Sequence, residues 1–128
     1  PDLLPGQKPW LEDMLERACY YFMHYQTEGS SELLAQLEVN QPFPVAPTLI
    51  HGDFTVDNVL IHNGKVSGII DWALGNSGDP RYDLALALRT EQSLFTTPQD
   101  NQSFFEGYGS ASLSLYDYRY FNALYEFF

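Results

Sequence analysis

Asn63-Gly64 stands between two β-branched runs, Val59-Leu60-Ile61-His62 and Lys65-Val66-Ser67-Gly68-Ile69-Ile70, and this arrangement leaves the chain little choice of local structure. Asparagine and glycine both reach positive φ at low cost, as a type I′ turn requires, and the twist of that turn suits paired strands. The segment predicts an antiparallel hairpin over 59–70. A hairpin returns the chain to where it left. Asn58, just before the first strand, and Asp71, just after the second, therefore come to the same open end of the ribbon.

Around the hairpin the apolar spacing is helical. Trp10, Leu11, Met14, Leu15, Ala18, Phe22 and Tyr25 recur every three or four residues behind Pro9, which predicts a helix over about 9–27. Gly29-Ser30-Ser31 breaks and recaps the chain, and Leu33, Leu34 and Leu37 give a shorter helix ending near Val39. Residues 40–47 carry three prolines and form a connector to the short apolar run Thr48-Leu49-Ile50. Asp79-Pro80 and Thr97-Pro98 each pair an N-cap with a first-turn proline, and Gly107-Tyr108-Gly109 ends the second of these helices. A last helical pattern runs from Leu113 to Phe128. No internal repeat occurs, so the expectation is one α+β domain, mostly helical, with a β-hairpin inserted.

Charge and composition narrow the function. Seventeen acids against six bases give a net charge of −11, which repels nucleic acid and anionic lipid and draws in a cationic ligand; acidity for solubility alone is the plainer reading. Apolar residues at 45% with charged residues at 18% mark a chain that folds. The single cysteine, Cys19, lies in an apolar helical stretch and reads as a buried thiol, with no disulfide possible inside the chain. No run approaches a membrane span, and the opening Pro1 to Pro5 carries no signal pattern, so a cytoplasmic setting is expected.

The chemistry concentrates in residues 51–83. His51-Gly52-Asp53 followed by Asn58 has the spacing H-x-D-x-x-x-x-N, and the hairpin then leads to Ile70-Asp71-Trp72, the order of parts in a kinase catalytic loop. Phosphoryl transfer needs a carboxylate beside the attacking hydroxyl and hard oxygen ligands for Mg²⁺. An aspartate, an asparagine amide oxygen and a second aspartate supply these. Singly, Asp53 and Asn58 read as turn residues; the ordered set of Asp53, Asn58 and Asp71 does not. His51 is expected to brace the loop as a buried imidazole. His62 and His24 are expected on a strand face and a helix surface, with no metal role.

His51-Gly52-Asp53 with Asn58, Ile70-Asp71-Trp72, and Gly78-Asp79-Pro80-Arg81-Tyr82-Asp83-Leu84-Ala85 together resemble the signature of the aminoglycoside phosphotransferase family, whose relatives include choline, homoserine and macrolide kinases. The match covers residues 48–89. The resemblance implies a protein-kinase-like C-terminal lobe spanning 1–128, with ATP and Mg²⁺ as cofactors and the hydroxyl of a small molecule as phosphate acceptor. It implies Asp53 as catalytic residue, Asn58 and Asp71 as metal ligands, Asp83 as a brace accepting backbone hydrogen bonds from the loop, and Asp79 as a helix cap. Asp57 departs from the small or proline residue usual in relatives and is either a solvated charge or an outer-shell ligand.

Such a kinase also needs a strand-rich N-terminal lobe with a phosphate-covering loop and a lysine for the α and β phosphates. Lys8 lies among prolines and Lys65 follows the turn, so neither fits, and the residues that would grip the nucleotide are unknown. The start without methionine and the end inside a helical pattern lead to the expectation of a fragment, inactive alone and prone to self-association. Segments 9–37 and 98–128 are expected to line the acceptor pocket, with Glu106, Asp117 and Glu126 as polar candidates. Two other readings stand beside the kinase: a catalytically silent kinase-like binding or regulatory module, and a metal-dependent hydrolase using His51, Asp53 and His62.

Overall fold

The computed structural model describes residues 6–89, 97–109 and 112–128, leaving Pro1 to Pro5 outside them. Helix α1 (Trp10–His24) begins after Pro9 and buries Leu15 and Ala18 on its inner face. It ends three residues short of the sequence expectation because Tyr25 turns fully extended (φ −133°, ψ 165°). The turn that follows passes under an aromatic ring: a Cβ on Gly29 would lie 2.3 Å from the Phe127 side chain, so only glycine fits. Ser30 then caps α2 (Ser31–Val39), its hydroxyl accepting from the Leu33 N–H at 3.1 Å.

Beyond the proline-rich connector, β1 (Thr48–Ile50) delivers the chain to His51. The hairpin forms as expected from β2 (Val59–His62) and β3 (Lys65–Ile69), with Asn63 at φ 51° and Gly64 at φ 74° in the turn. Val59 lies opposite Ile69 and His62 opposite Lys65, with a bulge between Leu60 and Ile61. A third piece of sheet was not expected. β4 (Asn76–Gly78) pairs antiparallel with β1, setting Thr48 opposite Gly78 and Ile50 opposite Asn76. Its sequence carries no strand preference. The pairing is permitted by Gly78, where a Cβ would meet Ile50 Cδ1 at 2.6 Å and the Trp10 indole at 2.8 Å.

Asp79 caps α3 (Pro80–Ala87), accepting from the Arg81 N–H at 3.0 Å. Thr97 and Asp100 make a reciprocal capping box for α4 (Pro98–Tyr108), which Gly109 closes at φ 90°. Helix α5 (Leu115–Tyr125) is shorter than the predicted 113–128: Ser114 caps its start, and Phe127 follows its last turn into the core. Helices α1, α2, α3 and α5 close around Tyr82, Phe121, Leu124, Leu37 and Ile50, all nearly inaccessible to solvent. Cys19 packs at the edge of this core.

Arg81 ties the layers together. Its guanidinium grips both carboxylate oxygens of Asp79, donates to the Phe43 carbonyl at 2.8 Å and reaches Asp117 of α5 at 3.3 Å. The planar cation also lies 5.3 Å from the centre of the Phe121 ring. Leu49 on β1 and Ile61 and Val66 on the hairpin are large apolar residues left 76%, 60% and 62% exposed. Among the described residues no helix is long and apolar enough to cross a membrane.

Burial pushes the hydroxyls of Tyr82 and Tyr120 well above the ordinary tyrosine range, and the Tyr120 hydroxyl donates to the Leu37 carbonyl at 2.7 Å. The unfolded chain releases these protons near pH 10 while the folded chain keeps them, so stability is full below that pH and falls as pH rises through it. Urea unfolding at about pH 8.5 and about pH 10.5 should show a lower midpoint at the higher pH, with a smaller fall in Tyr120→Phe. An identical fall in the variant would mean that this hydroxyl is not the source.

Candidate functional site

The loop from His51 to Asn58 is held from beneath by one carboxylate. Asp83, on the buried face of α3, accepts from the His51 N–H at 2.6 Å and from the Gly52 N–H at 3.0 Å, one bond to each oxygen. Burial pushes the Asp83 carboxyl above its ordinary range, and the two N–H donors hold it back down. Gly52 sits at φ 88°, where a Cβ would come within 2.4 Å of the Leu74 carbonyl oxygen. Only glycine takes that conformation without strain.

The His51 imidazole crosses the loop. Its Nδ1 can only accept from the Asp53 N–H at 3.1 Å, so Nε2 carries the proton and donates to the Ile70 carbonyl at 2.6 Å. The ring is buried and packs 4.6 Å from the Trp72 ring. His51 thus fastens the backbone of the His51–Asn58 loop to the residue that follows β3, at the open end of the hairpin.

Asp53 and Asn58 meet directly. The Asn58 Nδ2 group donates to the Asp53 carbonyl at 2.7 Å and to Asp53 Oδ2 at 3.1 Å. Both partners only accept, so the amide orientation is fixed by chemistry, with Nδ2 toward Asp53. The Ile70 N–H donates to the Asn58 carbonyl at 2.9 Å, which sets Asp71 one residue along the chain from a backbone bonded to Asn58. Asp71 is exposed and adopts a left-handed conformation (φ 62°, ψ 55°). That geometry is uncommon outside glycine and concentrates at functional turns. Asp57 is exposed beside the 3₁₀ turn Val56–Asn58.

By their chemistry an amide oxygen and a carboxylate suit a hard divalent ion. Among the described residues no three His, Cys, Asp or Glu side chains gather around one point. Two protein ligands with phosphate and water oxygens are the ordinary complement for Mg²⁺, which keeps much of its hydration.

Sequence reasoning missed Tyr125. From the last turn of α5 its hydroxyl donates to Asp53 Oδ1 at 3.0 Å, across 72 residues of chain. Burial and this bond push the hydroxyl up to about 12. In the sequence Tyr125 is one more member of an apolar helical stripe, and no signal sets it apart. The acids named as acceptor candidates are engaged elsewhere: Asp117 with Arg81, Glu126 with Arg89 and Glu106 with Gln102. His62 is exposed on β2, and His24 stacks on Tyr20 at 4.1 Å. A cavity of about 330 Å³ borders the loop at Gly52, walled by Trp10, Tyr21, Thr27, Asn76 and Phe128 among others. The Thr27 hydroxyl is buried there without a hydrogen-bond partner among the described residues.

The family model described as "Phosphotransferase enzyme family" matches residues 1–124. An aminoglycoside 3'-phosphotransferase of Niallia circulans is 31% identical over 97 residues, which is 76% of this chain and 37% of that protein. Acyl-CoA dehydrogenase family member 11 of Gallus gallus is 46% identical over 67 residues, 50% of this chain and 9% of that protein. The crystal structure of an aminoglycoside-3'-phosphotransferase of type VIII superposes with a TM-score of 0.74 at 26% identity, covering 92% of this chain and 51% of that one. The chain therefore spans about half or less of the proteins it matches. Its architecture, mostly helical with small antiparallel sheets, is the kinase-like fold of these neighbours.

Asp83→Asn keeps the shape of the brace but turns an N–H toward a loop N–H, so one donor loses its acceptor. The expected cost is about 1–3 kcal/mol in urea unfolding, with faster hydrogen exchange at the His51 and Gly52 amides. Unchanged exchange at both amides would show that Asp83 does not hold the loop.

Proposed function

The chain belongs to the phosphotransferase enzyme family, and from that premise we propose that residues 1–128 form the catalytic half of an ATP- and Mg²⁺-dependent enzyme that phosphorylates a hydroxyl of a small molecule. The observation that carries this reading is the direct contact of Asn58 with the Asp53 carboxylate, with Asp71 one residue beyond the backbone bond that ties Ile70 to Asn58. It supports a shared site for an acceptor hydroxyl and a metal-bound phosphate.

In this reading Asp53 orients the acceptor hydroxyl and receives its proton as the oxygen attacks the γ-phosphorus. The new O–P bond forms as the bond to the β-phosphate oxygen breaks, and ADP leaves. Asn58 Oδ1 and the Asp71 carboxylate would hold the metal, which when bound would neutralise charge on the phosphates. His51 and Asp83 keep the loop in register, and neither touches a reactant. Asp53 stays where a hydroxyl can approach because its carbonyl and one carboxylate oxygen are already fixed by Asn58.

The remainder of the family's length is the natural source of the adenine pocket and phosphate-covering contacts. The exposed Leu49, Ile61 and Val66 are our candidates for surface that half would cover, and left uncovered they would favour self-association. The cavity beside Gly52 is our candidate for the acceptor pocket, with the unpartnered Thr27 hydroxyl available to a polar ligand group. A net charge of −11 favours a cationic acceptor, of which an aminoglycoside is one class. A cytoplasmic setting belongs to the same reading, since ATP is supplied there.

The test is turnover of MgATP by the full-length protein with a panel of aminoglycosides, choline, homoserine, macrolides and sugar alcohols. Asp53→Asn should lower turnover by about 10²–10⁴-fold without loss of folding. A variant that keeps the wild-type rate removes Asp53 from the mechanism. Nucleotide binding with no turnover across the panel would instead favour a catalytically silent module.

A further inference from the structure

Asp53 has two carboxylate oxygens and two side-chain donors, one from five residues along the same loop and one from 72 residues away. Asn58 Nδ2 approaches Oδ2 at 3.1 Å from within the loop, whereas the Tyr125 hydroxyl approaches Oδ1 at 3.0 Å from α5. One donor alone would leave the carboxylate free to swing about its χ2 torsion, which is broad and roughly two-fold. Two donors on separate elements stop that rotation.

Tyr125 is itself held. The Arg89 guanidinium lies 4.9 Å from the centre of its ring, and the same cation reaches Glu126 at 3.3 Å and Asn122 at 3.4 Å, both at the end of α5. The Tyr82 ring stands 6.4 Å away on the buried side. The hydroxyl is pushed up to about 12, so it remains a donor throughout the neutral range. It is a neutral, rigid donor on a short lever, with two rotatable torsions between ring and backbone.

We propose that Tyr125 is a positioning residue for the proposed phosphotransferase reaction, holding Asp53 Oδ1 so that the carboxylate presents a fixed edge to the acceptor hydroxyl. The inference rests on the reading of Asp53 as the acceptor-facing carboxylate. It adds that α5, which carries none of the motifs, sets the reactive geometry of the loop. A carboxylate oxygen has two lone-pair directions, so Oδ1 can accept from Tyr125 and still face a substrate.

The probe is hydrolysis of MgATP by the full-length protein with water as acceptor, read as released phosphate in wild type, Tyr125→Phe, Asp53→Ala and the double variant. Tyr125→Phe removes one oxygen and little volume. The expected result is a fall in kcat of about tenfold or more with the KM for MgATP changed by less than about twofold. In the Asp53→Ala background the same substitution should change nothing, because Tyr125 acts through Asp53. An equal loss in both backgrounds assigns Tyr125 a merely structural role and overturns the proposal. A wild-type or raised rate in Tyr125→Phe also overturns it, the raised rate marking the tyrosine as an obstruction. If Asp53→Ala itself keeps the wild-type rate, the phosphotransferase reading falls first. The same four proteins compared by urea midpoint supply a readout independent of turnover: Tyr125→Phe should lower the midpoint only where Asp53 is present, and an equal drop in both backgrounds counts against the contact.

Discussion

Two backbone N–H groups, those of His51 and Gly52, end on the two oxygens of one buried carboxylate, Asp83. A loop that must expose Asp53 cannot satisfy its own backbone through a helix or a sheet, so it takes its partners from a neighbouring helix. Asp83 provides both at once because α3 opens at Asp79-Pro80 and turns that face toward the end of β1. The His51 imidazole completes the frame by tying the loop to Ile70. With the loop fixed at Asp83 below and at the hairpin beside it, Asp53 and Asn58 have one relative geometry instead of many.

That frame explains why residues of different kinds sit around the site. Gly52 supplies a positive φ that no side chain tolerates there, with the Leu74 carbonyl too close for a Cβ. Asp71 carries a similar left-handed backbone, which aspartate tolerates better than most non-glycine residues and which aims the chain as it leaves the hairpin. Arg81, with Asp79, Asp117 and the Phe43 carbonyl, locks α3 to α5 and to the connector. The helix that braces the loop is in this way anchored to the helix that delivers Tyr125.

Much of this was legible in the sequence because it is local. Asn63-Gly64 between β-branched runs specified the hairpin, and Asp79-Pro80, Thr97-Pro98 and Ser30 each announced a helix start by their own side-chain chemistry. The order of His51, Asp53, Asn58 and Asp71 pointed to a loop, the family resemblance added Asp83, and the structure brings His51, Asp53, Asn58 and Asp83 into one hydrogen-bonded network. What escaped notice is non-local. Asn76-Ser77-Gly78 becomes a strand only because β1 lies beside it, and the turn after α1 needs glycine at position 29 only because Phe127, from the other end of the chain, packs against it. Tyr125 reads as core until the end of α5 is placed against Asp53. Spacing along a chain does not encode contacts made across 72 residues.

The central proposal is that Asn58 Oδ1 and the Asp71 carboxylate together would hold the ion that positions the phosphates for Asp53. A crystal structure of the full-length protein with MgADP tests it most directly. The account predicts the metal at about 2.0–2.1 Å from an oxygen of each residue, with water and phosphate oxygens completing an octahedron. A magnesium ion seated on other side chains, with Asn58 and Asp71 turned away from it, would contradict the account.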